Sequence, residues 1–324
     1  MIIKRIFLYT FLVIFALFSI LYIITYPVSI NDNISVDMPG LLEKENLPNL
    51  EFFFFNTGYF QTRKFNITWS SSFKKIRLNN IGVLVFHPIK GLLVIDPGLG
   101  INFDKRRKKN KTLNFITNLS GLSVKNKQSL LEILKNNDIK ANKIENILIT
   151  HTHYDHFDAI IDFPGSTLWL NNKQEGFIEK EKKIHLPDVL TSLKLSKQKD
   201  KLKIFKFTKK TFGPFKKSFD FFGDQTVMLV PLSGHSPGQM GVIISSKNNK
   251  TIFLVGDTVW SQESIKKNLS KGMFTQLIAD YNMKVARKKV HLLHLIYKKW
   301  KKKILMIAAH EPELKNLNEV KLWR

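Results

Sequence analysis

The chain has 324 residues, 44% of them hydrophobic and 24% charged, the balance of an ordinary globular protein and not of a disordered or fibrous one. It contains no cysteine, which excludes a disulfide framework, a thiol nucleophile and a thiolate metal site, so any metal must be held by His and carboxylates. The formal net charge of +25 is carried mostly by lysine, with basic runs at 105–109, 180–183 and 298–303. Apart from Trp300 these runs lack the interleaved aromatics of a nucleic-acid footprint. They read as solvated surface, and nucleic acid is not an expected partner.

The first element is residues 6–26, IFLYTFLVIFALFSILYIITY, which carry no charge and directly follow Lys4 and Arg5. A hydrocarbon core of about 30 Å takes around 20 helical residues, whereas a cleavable signal has an apolar stretch of about 7–15 ending at a small-residue site. No such site follows here, so the segment reads as an uncleaved transmembrane helix. Lys4 and Arg5 mark the cytoplasmic side, which puts the rest of the chain on the outer, periplasmic or extracellular, side. The expected organisation is an anchor over 1–27, a polar, proline-bearing tether over 28–50 and one globular domain over 51–324.

Within that domain, β-branched and apolar runs bounded by Gly, Pro or Asn predict strands: IGVLVFH from Ile81, GLLVIDPG from Gly91, ENILIT from Glu145, QTVMLVPL from Gln225, GVIIS from Gly241, TIFLVGD from Thr251 and ILMIAAH from Ile304. Helical periodicity marks SLLEILKNN from Ser129. It also marks residues 282–302, where Val285, Val290, Leu293, Ile296 and Trp300 share a side. Strands with interspersed helices predict a layered α/β or α+β domain.

Several predicted strands run into a metal-ligand residue: ENILIT into His151, QTVMLVPL into His235, TIFLVG into Asp257 and ILMIAA into His310. Loops leaving one sheet edge bring distant residues together on a rigid support. In HTHYDH, His151 and His153 lie two apart and share a face of extended chain, and Asp155 and His156 follow where the chain turns. One short loop can therefore feed two adjacent metals. Imidazole and carboxylate ligands suit Zn²⁺ best and Fe²⁺, Mn²⁺, Co²⁺ or Ni²⁺ acceptably, so two divalent ions, taken as Zn²⁺, are the expected cofactors.

HTHYDH at 151–156, GHSPG at 234–238, GDT at 256–258, AAHEP at 308–312 and DPG at 96–98 stand in an order and spacing that resembles the metallo-β-lactamase superfamily over about residues 80–315. The resemblance implies a four-layer αββα sandwich with a binuclear site at one edge. It implies one metal on His151, His153 and His235, a second on Asp155, His156 and His310, Asp257 bridging the two, and Asp96 supporting the metal loop through hydrogen bonds. GHSPGQMG is similar to the GHTPGH segment of lactonases and glyoxalase-like thioesterases. The helix leading to His310 is similar to the one before PAHD in acyl-homoserine-lactonase-like members. Two departures stand out, Gln239 where many of those enzymes have a second His, and AAHEP in place of PAHD.

The expected chemistry is hydrolysis of an ester, lactone or related acyl bond by a hydroxide shared between two cations about 3.5–4 Å apart. Asp155 is the expected catalytic residue, placed both to ligate and to steer the hydroxide or pass the leaving group its proton. The expected partners are a small-molecule or lipid-like substrate and, through residues 6–26, the membrane. Tyr281 reads as a packing residue, and His291 and His294 as structural. Rival readings are a phosphodiesterase of the same fold, resembling ribonuclease Z or an acyl-ethanolamine phospholipase, and a membrane-tethered protein that keeps metals only for structure.

Overall fold

Strand pairing follows from runs that are apolar on both faces, as in sheets covered from either side. In a computed structural model, which describes residues 2–26, 34–38, 45–70, 72–109, 124–174, 199–247, 251–312 and 314, these runs assemble into two sheets. The first holds β1 (Glu51–Arg63), β2 (Lys75–His87), β3 (Gly91–Ile95), β4 (Val124–Asn126), β5 (Ile144–Leu148), β6 (Thr167–Asn171) and β7 (Leu202–Phe205), in the order β4-β1-β2-β3-β5-β6-β7. The second holds β8 (Phe219–Asp220), β9 (Val227–Pro231), β10 (Met240–Ile244), β11 (Thr251–Leu254) and β12 (Ile304–Ile307), in the order β12-β11-β10-β9-β8. The basic run at 180–183 lies outside the described residues.

The sheets meet face to face. Val83, Val85, Leu93, Ile95 and Leu148 of the first pack with Leu229, Val242, Ile244, Leu254 and Ile307 of the second in one buried core. The outer face of the first sheet is covered by α4 (Leu130–Asn136), through Leu130, Ile133 and Leu134. The outer face of the second is covered by Ile265 of α6 (Gln262–Lys267) and by Val290, Leu293 and Ile296 of α8 (Met283–Trp300). This is the four-layer αββα metallo-β-lactamase fold. Two of these three covering helices, α4 and α8, carry side-chain caps that their sequences dictate. Ser129 and Glu132 form a reciprocal capping box on α4, worth about 1 kcal/mol, and Asn282 Oδ1 accepts from Val285 N on α8. On α8, Ala286 is buried and Val285 only half-buried, a small shift from the stripe expected.

Two other elements depart from sequence expectation. In the 105–109 run, carried by α3 (Phe103–Lys109), Arg106 pairs with buried Asp158 and Arg107 is itself buried, so two of its five residues are structural and not solvated surface. Part of the 28–50 segment is packed: Val36 and Met38 are buried in the core beneath α8, and the Trp300 indole donates to Val36 O at 2.7 Å. The amino-terminal helix, α1 (Ile2–Thr25), contains a window, Ile6–Ile23, long and apolar enough to cross a membrane, none of it buried in the protein.

The strand directions create the site. β3 and β5 are parallel, pairing Ile95 with Leu148, and β11 and β12 are parallel, pairing Leu254 with Ile307. β9 is antiparallel to β10, which is antiparallel to β11, so β9 runs with β11. Five strands thus end at one edge, followed by Asp96, His151, His235, Asp257 and His310. Backbone bonds lock the two sheets together there, Met240 N to Thr150 O and Ile81 N to Ala309 O, each 3.0 Å. Within the first sheet Gly82 leaves room for its neighbours, since a β-carbon there would lie 2.2 Å from the Asp96 carbonyl oxygen and from the Phe55 ring.

Candidate metal centre

The loop after β5 delivers His151 and His153, then turns into α5 (Tyr154–Phe157), which carries Asp155 and His156. His153 Nδ1 lies 3.1 Å from His151 Nε2 and 2.9 Å from His235 Nε2. Three imidazole nitrogens converge on one point, and with Asp257 they form a group whose donor atoms all lie within 4.8 Å of one another. Asp155, His156 and His310 form a second such group, Asp155 Oδ2 standing 3.4 Å from the Nε2 of each histidine. Asp257 lies between the groups, Oδ2 3.6 Å from His235 Nε2 and 3.2 Å from His310 Nε2, Oδ1 3.4 Å from His156 Nε2.

Behind these atoms the outer ring nitrogens are fixed. His156 Nδ1 donates to Asp96 Oδ2 at 2.8 Å, His235 Nδ1 to Asp280 Oδ1 at 3.1 Å and His310 Nδ1 to the Asn79 carbonyl at 2.9 Å. His151 Nδ1 donates to Thr150 Oγ1, which donates onward to Asp96 Oδ2 at 2.6 Å. With the outer nitrogen serving as the donor, each ring aims its other nitrogen inward, the orientation a cation requires. Asp96 does this from a left-handed backbone, φ 53°, uncommon for a non-glycine residue and held here because Thr150 N also donates to its Oδ1. Trp260 Nε1 donates to Asp257 Oδ2, fixing the central carboxylate.

The donor set fits divalent cations. His156 Nε2 and Asp257 Oδ1 are buried with no hydrogen-bond partner, a costly arrangement that a cation between the groups would satisfy. Electrostatics differ between the groups. Burial, with the neighbouring imidazoles, lowers the pKa of His151 well below the usual value and that of His153 to about 3; burial and Lys271 lower that of His235. His310 is different, because Asp257 and Asp155 outweigh burial and raise it to about 9. Burial is likewise outweighed at His156 by Asp155, Asp96 and Asp257, which raise it well above normal, while the facing histidines hold Asp155 and Asp257 below the usual carboxylate range.

The family model of the metallo-beta-lactamase superfamily matches residues 77–299. The chain belongs to this superfamily. A search of curated proteins returned no match. Among solved structures, B. thuringiensis AiiA with N-decanoyl-L-homoserine bound at its active site is similar at 18% identity and TM-score 0.58, over 82% of this chain and 94% of that one. AidC, a dizinc quorum-quenching lactonase in complex with a product, is similar at 17% and 0.56, over 87% and 92%. The hydrolase AbOPH is similar at 17% and 0.54, over 83% and 90%. The chain is a metallo-β-lactamase-fold metal-dependent hydrolase with lactonase neighbours.

Against that superfamily pattern, Gln239 has a structural task. It is fully buried, and its Nε2 donates to Thr258 Oγ1 at 2.8 Å, tying the His235 loop to the Asp257 turn. Gly234, at φ 147°, lets that loop pass α8, since a β-carbon there would meet Ala286 N at 2.6 Å. The eight residues expected at the site from sequence, His151, His153, Asp155, His156, His235, Asp257, His310 and Asp96, meet at one sheet edge. Sequence reasoning missed Asn79, Thr150, Trp260, Lys271 and Asp280. Lys271 is buried, and its Nζ bonds Asp280 Oδ1 at 2.6 Å. The expected packing role of Tyr281 is not met, because its side chain is 65% exposed while its backbone N–H donates to His235 O at 2.9 Å. His291 accepts from Asn268 and His294 donates to Ile265 O, so both tie α8 to α6 as structural residues.

Proposed function

We propose that this protein is a membrane-anchored binuclear hydrolase of ester, lactone or related acyl bonds. His151, His153 and His235 would hold one cation and Asp155, His156 and His310 the other, with Asp257 within reach of both groups. The observation that carries this reading is the convergence of two donor groups whose outer nitrogens are pinned by Asp96, Asp280 and Asn79 O. Zn²⁺ fits the all-imidazole and carboxylate set best. Bound divalent ions there supply Lewis acidity toward the acyl oxygen and activate water as a nucleophile near neutral pH.

The chain's own residues do the rest. Asp96 and Asp280 keep the protons of His156 and His235 on the outer nitrogens, so the inner ones stay available as donors. Asp155, ionised and beside both His156 and His310, takes the proton released as water attacks and hands it to the departing oxygen. The acyl reading over the phosphodiester one is supported by neighbours described as lactonases or holding acyl-homoserine ligands. Membrane anchoring is supported by the uncharged span of α1 and the basic residues before it, which orient the domain outward.

The deciding experiment purifies the full chain in detergent, counts its metal, and screens lactones, thioesters, β-lactams and phosphodiesters beside His153→Ala. Acyl turnover lost with His153 supports the reading. Turnover confined to phosphodiesters, or two bound metals with no turnover at all, overturns it in favour of a phosphodiesterase or a non-catalytic protein.

A further inference from the structure

The segment between the candidate metal centre and α1 reverses the usual arrangement of a surface helix. On α7 (Met273–Ala279) the polar Thr275 and Gln276 are buried, while Phe274, Leu277 and Ile278 are 46%, 44% and 66% exposed, with Tyr281 just beyond at 65%. On the helix Phe274, Leu277 and Ile278 are spaced i, i+3 and i+4 and form one apolar stripe turned away from the domain, with Tyr281 two residues past the helix end. Phe73, 70% exposed, stands on the neighbouring loop. Inward, Gln276 Nε2 donates to Lys271 O and to Thr25 O, the last residue of α1.

We propose that α7 lies in the lipid–water interface of the membrane that α1 crosses, seating the candidate metal centre on the bilayer so that its substrate is an amphiphile drawn from the lipid. This rests on the reading of α1 as membrane-spanning. The occupant of the apolar stripe follows from the contacts of α1. The Phe18 ring meets that of Phe274 at 6.2 Å between centroids, seven residues before Thr25, which along a helix is about 10 Å inside its end. Interfacial helices bury their apolar faces to a depth of about 5–10 Å, so a bilayer around Ile6–Ile23 reaches the exposed side of α7. Above Phe18, Tyr22 and Tyr26 stack edge-on against Trp69 at 5.0 and 5.3 Å, a cluster of the amphipathic aromatics that settle at headgroup level.

Charge agrees with that seating. Thr68, next to Trp69, lines a cleft of about 360 Å³ bordered by Lys64, Lys74, Lys266 and Lys267, of which Lys64 and Lys267 share Glu263, and by Glu311, which leaves a surplus of positive charge. Such a cleft complements the phosphates of an anionic leaflet. The link to chemistry is short. Lys271 and Asp280 flank α7, bond one another at 2.6 Å, and Asp280 orients His235. α7 is thus joined through Lys271 and Asp280 to the residues that hold the first donor group.

Because the chain has no cysteine, single reporters are clean. The full chain is reconstituted in vesicles of phosphatidylcholine and phosphatidylglycerol in equal parts, with an environment-sensitive fluorophore on Ile278→Cys, on Leu277→Cys as a second α7 site, on Val13→Cys in α1, or on Lys135→Cys in distant α4. The expected result is quenching by lipid-borne nitroxide at 13, 277 and 278 and by aqueous iodide at 135. Iodide quenching at 277 and 278 with lipid quenching at 13 overturns the seating and leaves the anchor intact. Iodide quenching at 13 shows that the anchor reading itself has failed. For delivery, Phe274→Asp with Ile278→Asp lowers turnover of a long-chain ester presented in vesicles by about tenfold and leaves a soluble short-chain ester unchanged. Equal loss on both substrates overturns delivery from lipid.

Discussion

The two donor groups lie side by side across Asp257, yet they are prepared for a cation in opposite ways. His151, His153 and His235 are buried among one another, and burial with the neighbouring imidazoles, and Lys271 beside His235, outweighs the carboxylates in reach, so they stay neutral and present lone pairs at neutral pH. His156 and His310 face Asp155 and Asp257, with Asp96 behind His156, and in the absence of metal they hold protons that a cation must displace. The lesson is that ligand type alone does not set readiness. The balance of burial, neighbouring cationic groups and carboxylates around each imidazole does, and that balance is fixed by where the fold places each residue.

The largest effect that would break the comparison is loss of a member of the neutral trio. His153→Ala should cost one metal equivalent and several kcal/mol of transition-state stabilisation, roughly a thousandfold in turnover, measured by metal analysis beside kcat on the best acyl substrate. Retained metal with near-wild-type turnover would remove the trio from the site. Asp155→Asn comes next. It keeps the shape of the side chain and removes its base, so turnover should fall about 10²–10⁴-fold with the first metal equivalent retained. Wild-type turnover at full metal content would end the proton-transfer role of Asp155.

A smaller change sharpens the contrast, because Asp280 orients one group only, whereas Asp96 holds His156 directly and His151 through Thr150. Asp280→Asn should weaken metal binding about 10–100-fold at the His151, His153 and His235 group alone, and Asp96→Asn by a similar factor at the His156 and His310 group with a smaller loss at the other. Titration of metal-free protein, one equivalent at a time, separates them. If Asp280→Asn weakens both equivalents alike, the groups are not independent.

Much of this was legible in the sequence, and the gaps have physical causes. Runs such as GLLVI and TIFL are short and apolar, and both became strands because they are buried on both faces. β1 was missed although it is 13 residues long: Phe53 and Phe55 face the core under α4, Phe52 and Phe54 face the core between the sheets, so no apolar–polar alternation marks it. The site residues were legible because ligand types crowd one loop and recur at strand ends. Asp280 and Lys271 were not, because a buried Lys–Asp pair leaves no period or motif, and its only signal was two charges bracketing the apolar segment MFTQLIA. Asn79 acts through its backbone carbonyl, which any residue could supply. The stripe of Phe274, Leu277 and Ile278 has ordinary helical spacing, and only the fold shows that it points outward.

The smallest predicted effect is counted in protons. At pH 7.5 His310, raised to about 9, and His156, raised well above its normal value, are protonated in the metal-free protein, whereas His153, lowered to about 3, is not. Calorimetry in buffers of different ionisation enthalpy should therefore show proton release with one metal equivalent and almost none with the other. Stability of the metal-free protein follows the same signs. The raised His310 contributes stability that is complete below the unfolded value of about 6.5 and is lost as pH climbs through 9. The depressed His153 works in reverse, because below about 6.5 the unfolded chain takes up a proton that the folded one refuses, and stability falls toward pH 3. Thermal melts of chelator-treated protein should accordingly peak between these two windows, and adding metal should flatten the alkaline side by replacing the proton on His310 with a ligand that does not titrate there. A metal-free melt that keeps rising through pH 9 would show that His310 does not carry its proton in the folded state and that the two groups are prepared alike.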